Sequence, residues 1–111
     1  MNTEENVERI PFVNSEDPKL LLIKGNLARE QSKDYVKKVA NAIHKVIEKH
    51  DSALLRCVGA ASVNNAVKAT IIASGEAKTR GINLALIPSF HNVNFDGTGE
   101  KTSILFEVRK I

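Results

Sequence analysis

Six apolar residues, Val36, Val39, Ala40, Ile43, Val46 and Ile47, recur at the spacing that gathers them on one face of a helix. A stripe of that width must be covered, and the chain on either side of it supplies the cover. Lys19 to Ile23 is a short apolar run ended by Lys24, Gly25 and Asn26, which reads as a strand followed by a turn. Ala53 to Val58 reads as a second strand, closed by Gly59. The helix between them is expected over about Ser32 to Lys49. Its other face carries Lys33, Lys37, Lys38, Lys45 and Lys49 with Asp34 and Glu48 among them, read as a solvated face with local ion pairs.

Downstream, Ser62 is the expected N-cap of a second helix, from about Val63 to Ser74, with Gly75 ending it. Ala66, Ala69 and Ala73 alternate there with Val63, Val67 and Ile71, so the helix can approach a sheet or a partner closely. Its compact polar patch is Asn64, Asn65 and Lys68. Ile82 to Ile87 reads as a third strand in which Pro88, which cannot donate a ladder hydrogen bond, marks a bulge or a place at the sheet's edge. The strand is expected to resume through Phe90, Val93 and Phe95, turn at Asp96-Gly97-Thr98-Gly99, and pair with a fourth strand over Lys101 to Lys110. The expected fold is a two-layer α+β domain of order β-α-β-α-β-β, a four-stranded mixed sheet with two helices on one face.

A chain of 111 residues with 42% hydrophobic content can build one such core and not two. Residues 1–18 stand outside it: no apolar period runs through them, acids cluster, and Pro11 and Pro18 interrupt any helix. They read as an acidic, mobile tail, with Ile10, Phe12 and Val13 available as an extra edge strand. Charge divides at the same boundary. Residues 1–18 hold one base against five acids (1 − 5 = −4) and residues 19–111 hold fifteen bases against eight acids (15 − 8 = +7). A domain that basic collects polyanions, which makes nucleic acid a candidate partner.

Catalytic and metal chemistry find little footing. Cys57 is a lone cysteine inside a strand, so it builds neither a disulfide framework nor a metal quartet, and a reduced, cytoplasmic setting is expected. His44, His50 and His91 have no ligand spacing to one another, to the cysteine or to an acid, so no metal or cofactor is expected. Gly59-Ala60-Ala61-Ser62, between a strand and a helix, is placed to offer backbone N–H groups to a phosphate but lacks G-x-G-x-x-G spacing and any Gly-Lys-Ser or Gly-Lys-Thr. Asp96 and Glu100 are explained by a hairpin loop. No apolar run approaches the ~20 residues that cross a bilayer, and Met1 to Glu8 is acidic where a secretion signal is basic and then apolar.

The stretch from Val58 to Phe90 resembles the stage V sporulation protein S family, which places Gly-Ala before Asn-x-Ala-Val-Lys-Ala and later has Ile-Pro-x-Phe. Here those positions are Gly59, Ala60, Asn64, Ala66, Val67, Lys68, Ala69, Ile87, Pro88 and Phe90. The resemblance continues through Asp96-Gly97 to the last strand and back to Lys19. It implies an Alba-like fold, a homodimer, a developmental or sporulation role, and binding of DNA or RNA. It also implies bases after the first strand, near the start of the second helix and in the last hairpin; the matching regions offer Lys24 and Arg29, then Asn64 and Lys68, then Arg80 and Lys101. The contrasting expectation is a protein-interaction module that recruits its partner through the second helix or a free strand edge.

Overall fold

The computed structural model describes residues 16–94 and 100–111. The chain runs β1 (Leu20–Ile23), α1 (Arg29–His50), β2 (Ser52–Cys57), α2 (Ala60–Lys78), β3 (Leu84–Asn94) and β4 (Glu100–Lys110). The four strands form one sheet in the order β1-β2-β4-β3, with β1 parallel to β2 and the other pairs antiparallel. This is the mixed sheet with two helices that the sequence predicts.

The core lies between sheet and helices. All six residues of the α1 stripe are buried, against Leu21 and Ile23 of β1, Ala53, Leu55 and Cys57 of β2, and Phe106 and Val108 of β4. A buried aliphatic side chain of this size contributes roughly 1.5–3 kcal/mol, so the stripe and the sheet hold each other in register. α2 packs through Ala66, Ala69 and Ala73, all buried. On the sheet's other face the register sets Leu22, Arg56 and Leu105 side by side, with Leu54 and Glu107 in the neighbouring row.

Both helices begin about a turn earlier than the expected starts at Ser32 and Val63. α1 starts at Arg29 behind Ala28, which has extended backbone (ψ 146) and no side-chain cap; its carbonyl accepts from the N–H groups of Gln31 at 2.9 Å and Ser32 at 3.0 Å. Ser32 therefore lies inside the first turn. Ser62, the expected N-cap, is not the cap of α2. That place belongs to Gly59, whose φ of 90° is open to glycine and strained for any side chain. Ser62 instead turns its hydroxyl back, donating to the carbonyls of Val58 and Gly59 at 2.9 Å each.

α2 also passes through Gly75 to Lys78. A mid-helix glycine costs only about 1 kcal/mol, and the buried Ala73 and Ala77 on either side of it hold the helix against the core. Pro88 lies on the edge strand, as one of its two readings requires, but without a bulge: the β3–β4 register is unbroken from Leu84↔Lys110 to Asn94↔Glu100, with Pro88 opposite Phe106. The expected turn at Asp96 to Gly99, the strand position of Phe95, and the tail with its edge-strand residues Ile10, Phe12 and Val13 lie outside the described residues.

Two glycines give opposite expectations. A Cβ on Gly25 would stand 2.8 Å from both Ala61 Cβ and the Ser62 backbone nitrogen, whereas one on Gly75 would meet nothing within 4 Å. Gly25→Ala is expected to destabilise by roughly 1–3 kcal/mol and Gly75→Ala to stabilise by about 0.5–1 kcal/mol. Urea unfolding of the two variants checks both signs.

Candidate functional site

Parallel pairing of β1 and β2 puts the segments that follow them, Lys24 to Ala28 and Val58 to Gly59, at the same end of the sheet, where both helices begin. Three contacts fix the first of these segments to the two helices. The Lys24 N–H donates to Tyr35 Oη at 2.7 Å, and the Lys24 carbonyl accepts from Asn65 Nδ2 at 2.9 Å. Gly25, lacking a Cβ, lies directly against Ala61 and Ser62. Both backbone polar groups of Lys24 are thus satisfied internally, while its side chain is exposed.

The polar patch expected on α2 divides as a result. Asn65 is buried, 5% exposed, and serves the clamp; Asn64 and Lys68, one turn apart, remain exposed. Of the six candidate contact residues, Lys24, Asn64 and Lys68 are carried by this clamped end. Arg29 is the first residue of α1 and so belongs to the same end by its backbone; its side chain lies outside the described part. Lys24 lines a depression of about 460 Å³ with Glu30, Asp34 and Lys38, in which Asp34 is paired to Lys38 at 3.1 Å.

Arg80 and Lys101 are elsewhere. α2 has 19 residues, so about 27 Å of helix, at 1.5 Å per residue, separates its start from the turn that holds Arg80. There the guanidinium lies 3.5 Å from Glu48 Oε1, with Nη2 2.9 Å from His44 Nδ1, and His44 Nε2 lies 2.9 Å from the same carboxylate. This cluster ties the end of α2 to the last turns of α1. Lys101 pairs with Val93 in the β3–β4 ladder, its side chain outside the described residues.

α2 stands between two depressions. Toward β3 and β4 lies a cleft of about 630 Å³, lined by Ala60, Val63, Asn64 and Val67 on the helix side and by Phe90 and Ile104 on the strands. Phe90 is 81% exposed. Toward α1 lies a groove of about 350 Å³ where Lys33 and Lys37 face Lys68 over Val36, Ile71 and Ile72. The sequence did not single out Tyr35 or Asn65 for a role at this end. The available signal was Gly25 after the first strand, a residue type that invites a close backbone approach and so a partner for the backbone it exposes.

Among the described residues no group of three or more His, Cys, Asp or Glu side chains is placed to hold a metal ion, and no helix is long and apolar enough to cross a membrane. Cys57 is fully buried, and burial pushes its thiol up to about 11, against a smaller lowering by its hydrogen-bond contact with Ser62. Burial also raises Tyr35, which the Lys24 backbone N–H partly offsets.

The sign of the resulting pH dependence follows. A thiol held neutral in the fold stabilises it fully below the ordinary thiol value of 9.0 and loses that contribution as pH rises towards 11. Unfolding free energy is therefore expected to fall by about 2 kcal/mol between those limits, at ~1.36 kcal/mol per pH unit. Urea titrations across that range should show the slope, and Cys57→Ala should remove most of it.

Across this fold, the family model for stage V sporulation protein S matches residues 29–111.

Proposed function

The chain belongs to the stage V sporulation protein S family, and from that premise we propose that it is a small non-enzymatic regulator that binds nucleic acid, DNA or RNA, as a homodimer with an Alba-like fold. Membership itself places the chain among sporulation proteins. The observation that carries the binding reading is the clamped end of the sheet. A bond to Tyr35 and one from Asn65 consume the Lys24 backbone and leave its side chain exposed, beside the helix from which Asn64 and Lys68 project.

Phosphate contacts need cations on a rigid frame, because each neutralised phosphate releases condensed counterions. Lys24 and Lys68 supply the charge, Arg29 and Lys101 extend it along α1 and the β3–β4 ribbon, and Asn64 orients the backbone it meets. Arg80, paired to Glu48, contributes by exchanging that partner for a phosphate. The charge of residues 19–111, fifteen bases against eight acids, supports a polyanion as partner.

The dimer reading rests on the apolar cleft. Phe90, Val63 and Val67 line it, and Phe90 is 81% exposed. Contiguous apolar surface of this kind marks an interaction site, and the same surface supports the second reading, a protein-interaction module in a regulatory pathway without nucleic-acid binding.

Fluorescence anisotropy with duplex DNA, single-stranded DNA and RNA at several salt concentrations separates the two. Lys24→Ala and Lys68→Ala are each expected to weaken binding and to reduce the slope of log K against log salt by about 0.9 for duplex DNA. Negligible binding to all three nucleic acids at low salt would leave the interaction module as the function. Sedimentation equilibrium should give a dimer that Phe90→Ser weakens.

A further inference from the structure

We propose that the groove between α1 and α2 receives the chain's own acidic amino-terminal segment, residues 1–15. The groove combines two features that a solvated lysine face lacks. Its floor is apolar, made by Val36, Ile71 and Ile72, and Ile71 is 65% exposed. Its rim is cationic, made by Lys33, Lys37 and Lys68, and none of the three has an ion-pair partner among the described residues. Elsewhere on the surface Lys38 pairs with Asp34 and Lys110 with Asp51. Lys33 and Lys37 are four residues apart on one helix, where like charges repel, and Lys68 faces them across the groove.

An occupant that relieves this arrangement carries carboxylates and apolar side chains together. A nucleic-acid backbone supplies the anions but nothing for the floor. Residues 1–15 hold Glu4, Glu5 and Glu8 against the single base Arg9, interspersed with Val7, Ile10, Phe12 and Val13.

The chain also has the length. Asp17 is fixed at the start of β1 by a tight turn, its carbonyl accepting from Leu20 N–H and its carboxylate from Lys19 N–H, both at 3.0 Å. β1 begins beside β2, and α1 ends just before β2 begins. From His50 back to Val36 is about 21 Å along the helix axis at 1.5 Å per residue. The nine residues from Asp17 back to Glu8 span up to ~30 Å at ~3.3 Å each, enough to climb that distance and pass around the helix.

The test is zero-length carbodiimide coupling of carboxylates to amines in the full, nuclease-treated chain, read by peptide mapping, on an equal mixture of isotope-labelled and unlabelled protein. Same-chain links from Glu4, Glu5 or Glu8 to Lys33, Lys37 and Lys68 are expected, several-fold above links to Lys49 and Lys78. Ile71→Ser, at a position 65% exposed and compared with the parent chain at matched melting temperature, is expected to lower their yield several-fold. Links spread evenly over the lysines, or indifferent to Ile71→Ser, would overturn the proposal. Links found only between labelled and unlabelled chains would overturn it too, by giving the groove to a second copy. Groove lysines left unlinked would overturn it as well. With no nucleic acid present, the outcome does not depend on whether the protein binds one.

Discussion

The amide of Asn65 donates to the carbonyl of Lys24 across a boundary between two segments that are 41 residues apart in sequence. Asn65 is itself buried, so the bond is made in a setting where an unpaired amide or carbonyl would cost ~1–3 kcal/mol. Both partners are therefore held to it. Around it are arranged the other features of that end: Gly25 pressed on Ala61, the Tyr35 hydroxyl on the Lys24 N–H, and the Gly59 cap that starts α2. The exposed Lys24, Asn64 and Lys68 inherit their placement from this buried frame.

Much of the fold was legible in the sequence because its signals are local and periodic. The α1 stripe could face only one way, and the apolar runs around it could only be strands. The helix starts were misjudged for a physical reason. Ser62 is a residue type that caps helices, and the apolar period of α1 gave no sign of a turn ahead of Ser32, but backbone geometry decided both starts. Ala28 supplies an extended residue ahead of a helix-forming run, and the positive φ of Gly59 sets the start of α2. The candidate site was less legible. Asn64 and Asn65 are adjacent and chemically identical, and only the rotation of α2 against the β1–α1 segment decides that one is buried in the frame and the other exposed. Arg80 shows the same limit, since its pairing with Glu48 depends on where the two helices end.

α2 owes its surface chemistry to its core packing. Alanines at Ala66, Ala69 and Ala73 let the helix lie close to the sheet, and the larger Val63, Val67 and Ile71 are left toward the outside. A helix that packed through its branched residues would have a polar exterior and no use for the cleft or the groove beside it. Close approach within the domain thus creates the adhesive surface outside it, and the apolar cleft and the lysine-rimmed groove are two sides of one compromise.

Pro88 has a consequence beyond pairing. β3 is an eleven-residue strand at the sheet's edge, and a long edge is a template on which strands of other chains can grow into fibrils. A proline in the middle of it removes a donor from that template without disturbing the β4 side, where Pro88 keeps its place opposite Phe106. A chain with this much exposed apolar surface has most to lose from indiscriminate stacking, and the single ring at position 88 lets β3 remain long while denying aggregates an uninterrupted row to copy.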